Sequence, residues 1–228
     1  ISVAEKFNSE LGRQNFMLYT SADSSLPNDE RGRRNYRDAF TKEHWNGLEF
    51  IEAKGDRGGC QTLQQLMGPR PIANNMSLGW KTTSVPTMEA VEMYYTKNGL
   101  PWEDDPETKD IDPYAYNAEA GTVNLHLYKE PRFYASVGYD RGTYEIDGKE
   151  ITLYLRGGEL HGSTLKETDE YQSCTGYLCQ KWIPKASTYS IPSNSFSFYY
   201  YAYPYLRLPE LYLSYAEADF EYNGSLST

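Results

Sequence analysis

Apolar residues recur at spacings of three and four near the end of the chain. Leu208, Leu211, Tyr215, Ala218 and Tyr222 fall in one stripe, the pattern of a helix that buries one face. Pro209 and Glu210 suit its first turn, where a missing N–H costs nothing and a negative charge meets the positive dipole end. Asn223-Gly224 fits its stop. A second capped helix, of about three turns, is predicted from Met88, Val91, Tyr94 and Tyr95, with Pro86-Thr87 before it and Lys97-Asn98-Gly99 and Pro101 after. Shorter helices are predicted from Ser2 to Gly12, where Ser2 and Glu5 make a capping-box pattern, and from Gln61 to Met67, between loops punctuated by Gly and Pro.

Alternation marks the strands. Val123, Leu125 and Leu127 alternate with polar or amphipathic neighbours, and Phe133, Ala135, Val137 and Tyr139 do the same, so both stretches are predicted as strands. Asp147-Gly148 lies between two such runs, Tyr144-Glu145-Ile146 and Lys149 to Leu155. It is the clearest hairpin signal, because a two-residue turn needs positive φ at both positions. Ser195-Phe196-Ser197-Phe198 also alternates. The polar stretch from Ser21 to Arg37, with Arg31, Arg33, Arg34 and Arg37 close together, reads as a solvated loop. Together these elements give a mainly α fold with long loops and short β-hairpins.

The 228 residues allow one domain or two small ones, with a sizeable core. A formal charge of −10 and a pI near 4.9 disfavour nucleic acid as a partner. No apolar run approaches the roughly 20 residues that span a bilayer. Ile1 is not an initiator methionine and no signal-peptide pattern follows it, so the chain is expected to be an interior piece of a longer protein. Cys60, Cys174 and Cys179 are too few for a disulfide framework, although Cys174 and Cys179 could bridge within one turn region. His44, His126 and His161 have no partner at metal-ligand spacing, and structural roles are expected for them. Neither a metal nor a cofactor is predicted.

Candidate chemistry lies in the aromatic residues: 22 Tyr, 4 Trp and 8 Phe exceed what a core requires. A sugar ring offers C–H bonds to an aromatic face and hydroxyls to planar polar groups. Three tryptophans have such neighbours: Trp45 beside His44 and Asn46, Trp80 near Asn74 and Asn75, and Trp102 before Glu103-Asp104-Asp105. Trp45, Asn74, Asn75, Trp80 and Trp102 are therefore the predicted ligand-binding residues. Asp104, Asp105, Asp110 and Asp112 fail the EF-hand spacing and read as a solvated loop. A secreted glycoside hydrolase is the competing class, but its paired carboxyls cannot be identified in one sequence. His161-Gly162-Ser163-Thr164 lacks the frame of a nucleophile elbow.

Four further strings carry a family resemblance. Val85-Pro86-Thr87-Met88-Glu89-Ala90-Val91-Glu92-Met93-Tyr94 with Asn98-Gly99-Leu100-Pro101 and Asp104-Asp105-Pro106 comes first, followed by Lys129-Glu130-Pro131-Arg132-Phe133-Tyr134 running to Asp140. Thr175-Gly176-Tyr177-Leu178 with Lys181-Trp182, and Tyr205-Leu206-Arg207-Leu208-Pro209-Glu210 running to Ala218, complete the set. In this order they resemble the SusD/RagB family from Val85 to Gly224, while the first third matches only loosely. The resemblance implies a SusD-like fold whose parent contains tetratricopeptide-like helical hairpins. Residues 1–84 would be a loop-rich segment continuous with those hairpins, and 85–228 a truncated C-terminal region.

It further implies a non-enzymatic, lipid-anchored protein on the outer face of a Bacteroidetes-type outer membrane. Such a protein binds an oligosaccharide, or as the alternative a peptide, and delivers it to a SusC-like TonB-dependent transporter barrel. Its only membrane contact would be a lipid anchor outside this chain. Within the motifs, Trp182 is expected to pack and the rings of the terminal helix to be core. Arg207 is expected to pair with Glu210 or Glu217 or to satisfy loop carbonyls, and Arg132 to clamp a neighbouring segment through its planar fork.

Overall fold

The computed structural model describes residues 16–20, 23–41, 49–68, 82–157, 159, 173–190 and 195–225. Among them the chain forms five α-helices and ten short strands. In order these are α1 (Asn28–Thr41), β1 (Phe50–Lys54), α2 (Arg57–Met67), α3 (Met88–Glu92), β2 (Tyr116–Asn117) and β3 (Thr122–Val123). There follow α4 (Pro131–Ser136), β4 (Val137–Gly138), β5 (Thr143–Ile146), β6 (Lys149–Thr152) and β7 (Leu178–Cys179). The last are β8 (Thr188–Ser190), β9 (Ser195–Ser197), β10 (Tyr203–Arg207) and α5 (Leu208–Asn223). The strands make five two-stranded antiparallel sheets, of which β1–β10 and β4–β7 join distant parts of the sequence.

Two adjacent apolar clusters hold these elements. One joins Tyr144, Ile146, Leu153, Leu178 and Ile183, with Met67 and Phe196 against it. The other joins Val91, Leu125, Phe133, Val137 and Tyr177, with Tyr94, Trp102 and Tyr139 packed on it.

Where local chemistry dictates the conformation, expectation and structure agree. Asp147 and Gly148 both take positive φ, 57° and 70°, and β5 and β6 pair on either side. α5 begins with proline in its first turn and ends at Gly224 in the left-handed region. Thr87 caps α3 by accepting from the Ala90 N–H at 3.2 Å, and β9 occupies the alternating run after Ser195. α2 starts four residues earlier than expected, because Asp56 accepts from the Gly59 N–H at 3.0 Å and makes the cap. The helix expected from Ser2 to Gly12 lies outside the described residues.

Several expectations are corrected. The arginine-rich loop is instead α1, whose Glu30 bonds Arg33 and Arg34 one turn on, with Arg37 and Phe40 facing inward. α3 stops after Glu92, because the Tyr95 and Lys97 N–H groups turn to Glu130 and to the Tyr128 carbonyl. The strand expected at Val123–Leu127 ends at Val123, and Asn124–His126 is a 3-10 turn with Leu125 and His126 both buried. The next expected strand is mostly α4, because Pro131 starts a helical turn and leaves only Val137 and Gly138 extended.

In α5, Leu208 is the buried residue, whereas Leu213, Tyr215, Phe220 and Tyr222 are exposed, so those rings are not core. Arg207 pairs with Glu49 across β1–β10 rather than with Glu210 or Glu217. Arg132 is exposed and bonds Glu130 two residues away, so it clamps no neighbouring segment directly. Cys60, Cys174 and Cys179 are free thiols. Trp182 packs as expected, edge-on to Phe40 and stacked with Tyr203 at 5.1 Å.

Candidate functional site

A cavity of about 540 Å³ opens beside α3 and the loop that follows it. The polypeptide there is held by one buried carboxylate. Asp105 accepts from the Thr96 hydroxyl at 2.5 Å, from the Asn98 amide at 3.1 Å and from the Glu107 N–H at 2.9 Å. The Thr96 hydroxyl, foremost among these bonds, holds its carboxyl below the usual carboxylate range. Asp105 is therefore a loop organiser rather than part of a solvated acidic run. No group of three or more metal-ligating side chains occurs among the described residues.

Trp102 stands on this braced loop. Its indole N–H donates to the Ile111 carbonyl at 3.1 Å, and the ring meets Tyr128 edge-on with centroids 5.9 Å apart. Half-buried and fixed in this way, it forms a wall of the cavity. Tyr95 and Tyr114 line it too and expose their rings to solvent, 47% and 51%. The Tyr114 hydroxyl donates to the Glu92 carboxylate, which raises the tyrosine's pKa. Glu89 and Glu103 also line the cavity and are exposed.

The one cation in the lining among the described residues is Lys129, only 2% exposed. Its ammonium donates to the Tyr94 carbonyl at 2.6 Å and the Glu92 carbonyl at 3.1 Å, closing the C-terminal end of α3. Burial pushes its pKa down, against the pull of Glu130, Glu92 and Glu103. Rigid aromatic faces beside carboxylates can stack on an apolar face and accept hydrogen bonds from its rim.

A second cavity, of about 610 Å³, lies on the α1 side and also reaches Lys129. Its basic groups are engaged within the protein. Arg33 and Arg34 bond Glu30, and Lys97 pairs with Glu107 at 2.6 Å. Exposed rings flanked by carboxylates distinguish the first cavity.

Of the predicted residues, Trp102 lies in this site. Trp45, Asn74, Asn75 and Trp80 lie outside the described residues, as do His44 and His161. Tyr95, Tyr114, Glu92 and Lys129 were not singled out by sequence. Tyr95 counted towards a helical face, and Tyr114 follows Asp112-Pro113, a turn signal that marks an exposed ring only in retrospect. His126 is structural, with its ring nitrogens 2.7 Å from the Thr122 hydroxyl and 2.9 Å from the Tyr177 hydroxyl.

A family model described as the SusD family matches residues 48–226. Among solved structures, BT4246 superposes with a TM-score of 0.68 at 21% identity, covering 96% of this chain and 38% of its own. A SusD-like protein (BF3747) from Bacteroides fragilis NCTC 9343 superposes with a TM-score of 0.58 at 17% identity, covering 96% of this chain and 39% of its own. At these identities the likeness is one of fold, and the chain spans about two fifths of either structure. No curated protein matches the chain.

Proposed function

The chain belongs to the SusD family, and from that membership we propose that it is part of a cell-surface nutrient-binding protein. Its ligand on this reading is an oligosaccharide, held without chemical conversion. The parent protein is lipid-anchored on the outer face of the outer membrane and hands the ligand to a SusC-like TonB-dependent transporter barrel. Residues 85–228 form its SusD-like C-terminal region, and residues 1–84 lead in from a framework of tetratricopeptide-like helical hairpins. Among the described residues no helix is long and apolar enough to cross a membrane.

The observation that carries the ligand reading is the 540 Å³ cavity, where exposed Tyr95 and Tyr114 stand beside Trp102, Glu92 and Glu103. Each ring stacked on a sugar gains by burying apolar area, about 25 cal/mol per Å². Two or three rings with a few hydrogen bonds then give millimolar to micromolar binding, about 4–8 kcal/mol. Trp45, Asn74, Asn75 and Trp80 extend the same reading to the segments before the cavity. Holding a ligand needs no pair of working carboxyls, and the Glu92 carboxylate is already bonded by Tyr114.

Calorimetric titration against a panel of neutral and charged oligosaccharides and of short peptides tests the ligand class. Saturable heat with at least one oligosaccharide and no turnover is expected, whereas binding confined to peptides would replace the ligand class. Affinity purification from native membranes tests the partner, and absence of a large barrel protein would contradict the handover.

A further inference from the structure

We infer that the ligand taken by the Trp102 cavity carries an ammonium group next to its stacking face, an inference that rests on this cavity being the ligand site. Among the described residues, Glu89, Glu92 and Glu103 line it against the single cation Lys129. That lysine is buried, donates to two backbone carbonyls and sits over the Trp102 ring 5.9 Å from its centroid, so its one charge leaves the three carboxylates in excess. No arginine or histidine lines the cavity among the described residues. In the neighbouring cavity, by contrast, Glu30 is held by both Arg33 and Arg34.

The aromatic walls act in the same direction as the carboxylates. The face of a tyrosine or tryptophan ring is electron-rich and attracts a cation within about 6 Å of its centroid. Tyr114 is already drawn to the carboxylate side of the cavity by its bond to Glu92. An ammonium placed between these rings and the carboxylates gains from both, while a uronate or sulfate ester meets like charge from the carboxylates. The shared chemistry is a primary amine, which could be brought by an amino sugar or by a lysine side chain.

The experiment separates these sources with matched pairs. The full chain is titrated with free-amine glucosamine oligomers and their N-acetylated twins of equal length, and with a lysine-containing peptide and its acetyl-lysine twin. The expected result is that a free-amine ligand binds at least about tenfold more tightly than its twin. This margin should shrink at raised salt and collapse in a Glu89→Gln/Glu103→Gln variant. The pair that shows it identifies the source.

Equal affinities within both pairs would overturn the inference, and so would a margin that persists unchanged in the double variant. Binding of neutral glycans that depends on Tyr114 but shows no amine margin would leave the ligand site standing and remove only its charge preference. No binding by any glycan or peptide would remove both.

Discussion

Arg37 Nη1 lies 3.1 Å from Glu145 Oε2, and both side chains are buried. The same guanidinium donates to the carbonyls of Glu145 at 2.6 Å and Ile183 at 2.7 Å. One side chain thus ties α1 to the β5–β6 hairpin and to the segment after β7. Arg37→Met should destabilise the protein by about 3–5 kcal/mol, because it leaves a buried carboxylate without its main partner. Arg37→Lys should recover only part of this, since a single ammonium lacks the planar fork. Urea unfolding checks both, and a loss within about 0.5 kcal/mol for Arg37→Met would mean that α1 is anchored by its apolar contacts alone.

His126 gives the stability a pH dependence. Burial pushes its pKa from the ordinary 6.5 down to about 4, so the folded state keeps it neutral where the unfolded chain takes up a proton. Its contribution is complete above about pH 6.5 and is lost as the pH falls towards about 4, on the order of 3 kcal/mol in all. Glu30 acts in a separate window. Held at about 2 chiefly by its bond to Arg33, it contributes above the usual carboxylate range and loses that contribution only as the pH falls towards about 2. Melting temperatures from pH 7.5 to 4 should therefore decline faster for the native protein than for His126→Gln, and parallel curves would contradict the assignment.

Gly138 is required for space rather than for an unusual backbone angle. A Cβ there would come within 2.8 Å of Leu153 Cδ1, 3.0 Å of Tyr144 Cδ2 and 3.1 Å of Leu178 Cβ. All three neighbours belong to the cluster that holds β5 and β7. Gly138→Ala should cost about 1–3 kcal/mol by overpacking, measured by denaturant unfolding. An unchanged midpoint would show that the cluster can give way.

How much of this could be read in advance depended on the range of the forces involved. The Asp147-Gly148 turn and both ends of α5 are set by backbone preferences of the residues themselves, so they were legible. α1 was not, because its inward face is built around an arginine whose partners lie 108 and 146 residues away. A charge cluster in sequence says nothing of such a partner. Alternation misled at Leu125 and Phe133 for a related reason: burial on both sides erases the period that distinguishes strand from turn.

Trp102 was legible as a candidate because an aromatic face beside polar groups suits a sugar ring. Tyr95 and Tyr114 meet it only through tertiary contacts. The loop between them is braced by Asp105, which its acidic surroundings in sequence had disguised as solvated.

The central claim is that the cavity walled by Trp102, Tyr95 and Tyr114 captures a glycan. The most direct measurement is calorimetric titration of the native protein and of Tyr95→Ala/Tyr114→Ala with whichever oligosaccharide of the panel binds. Both tyrosines are exposed, so the variant should keep its melting temperature within a few degrees. The affinity of that variant should be at least about tenfold lower. An unchanged affinity in the folded variant would contradict the claim.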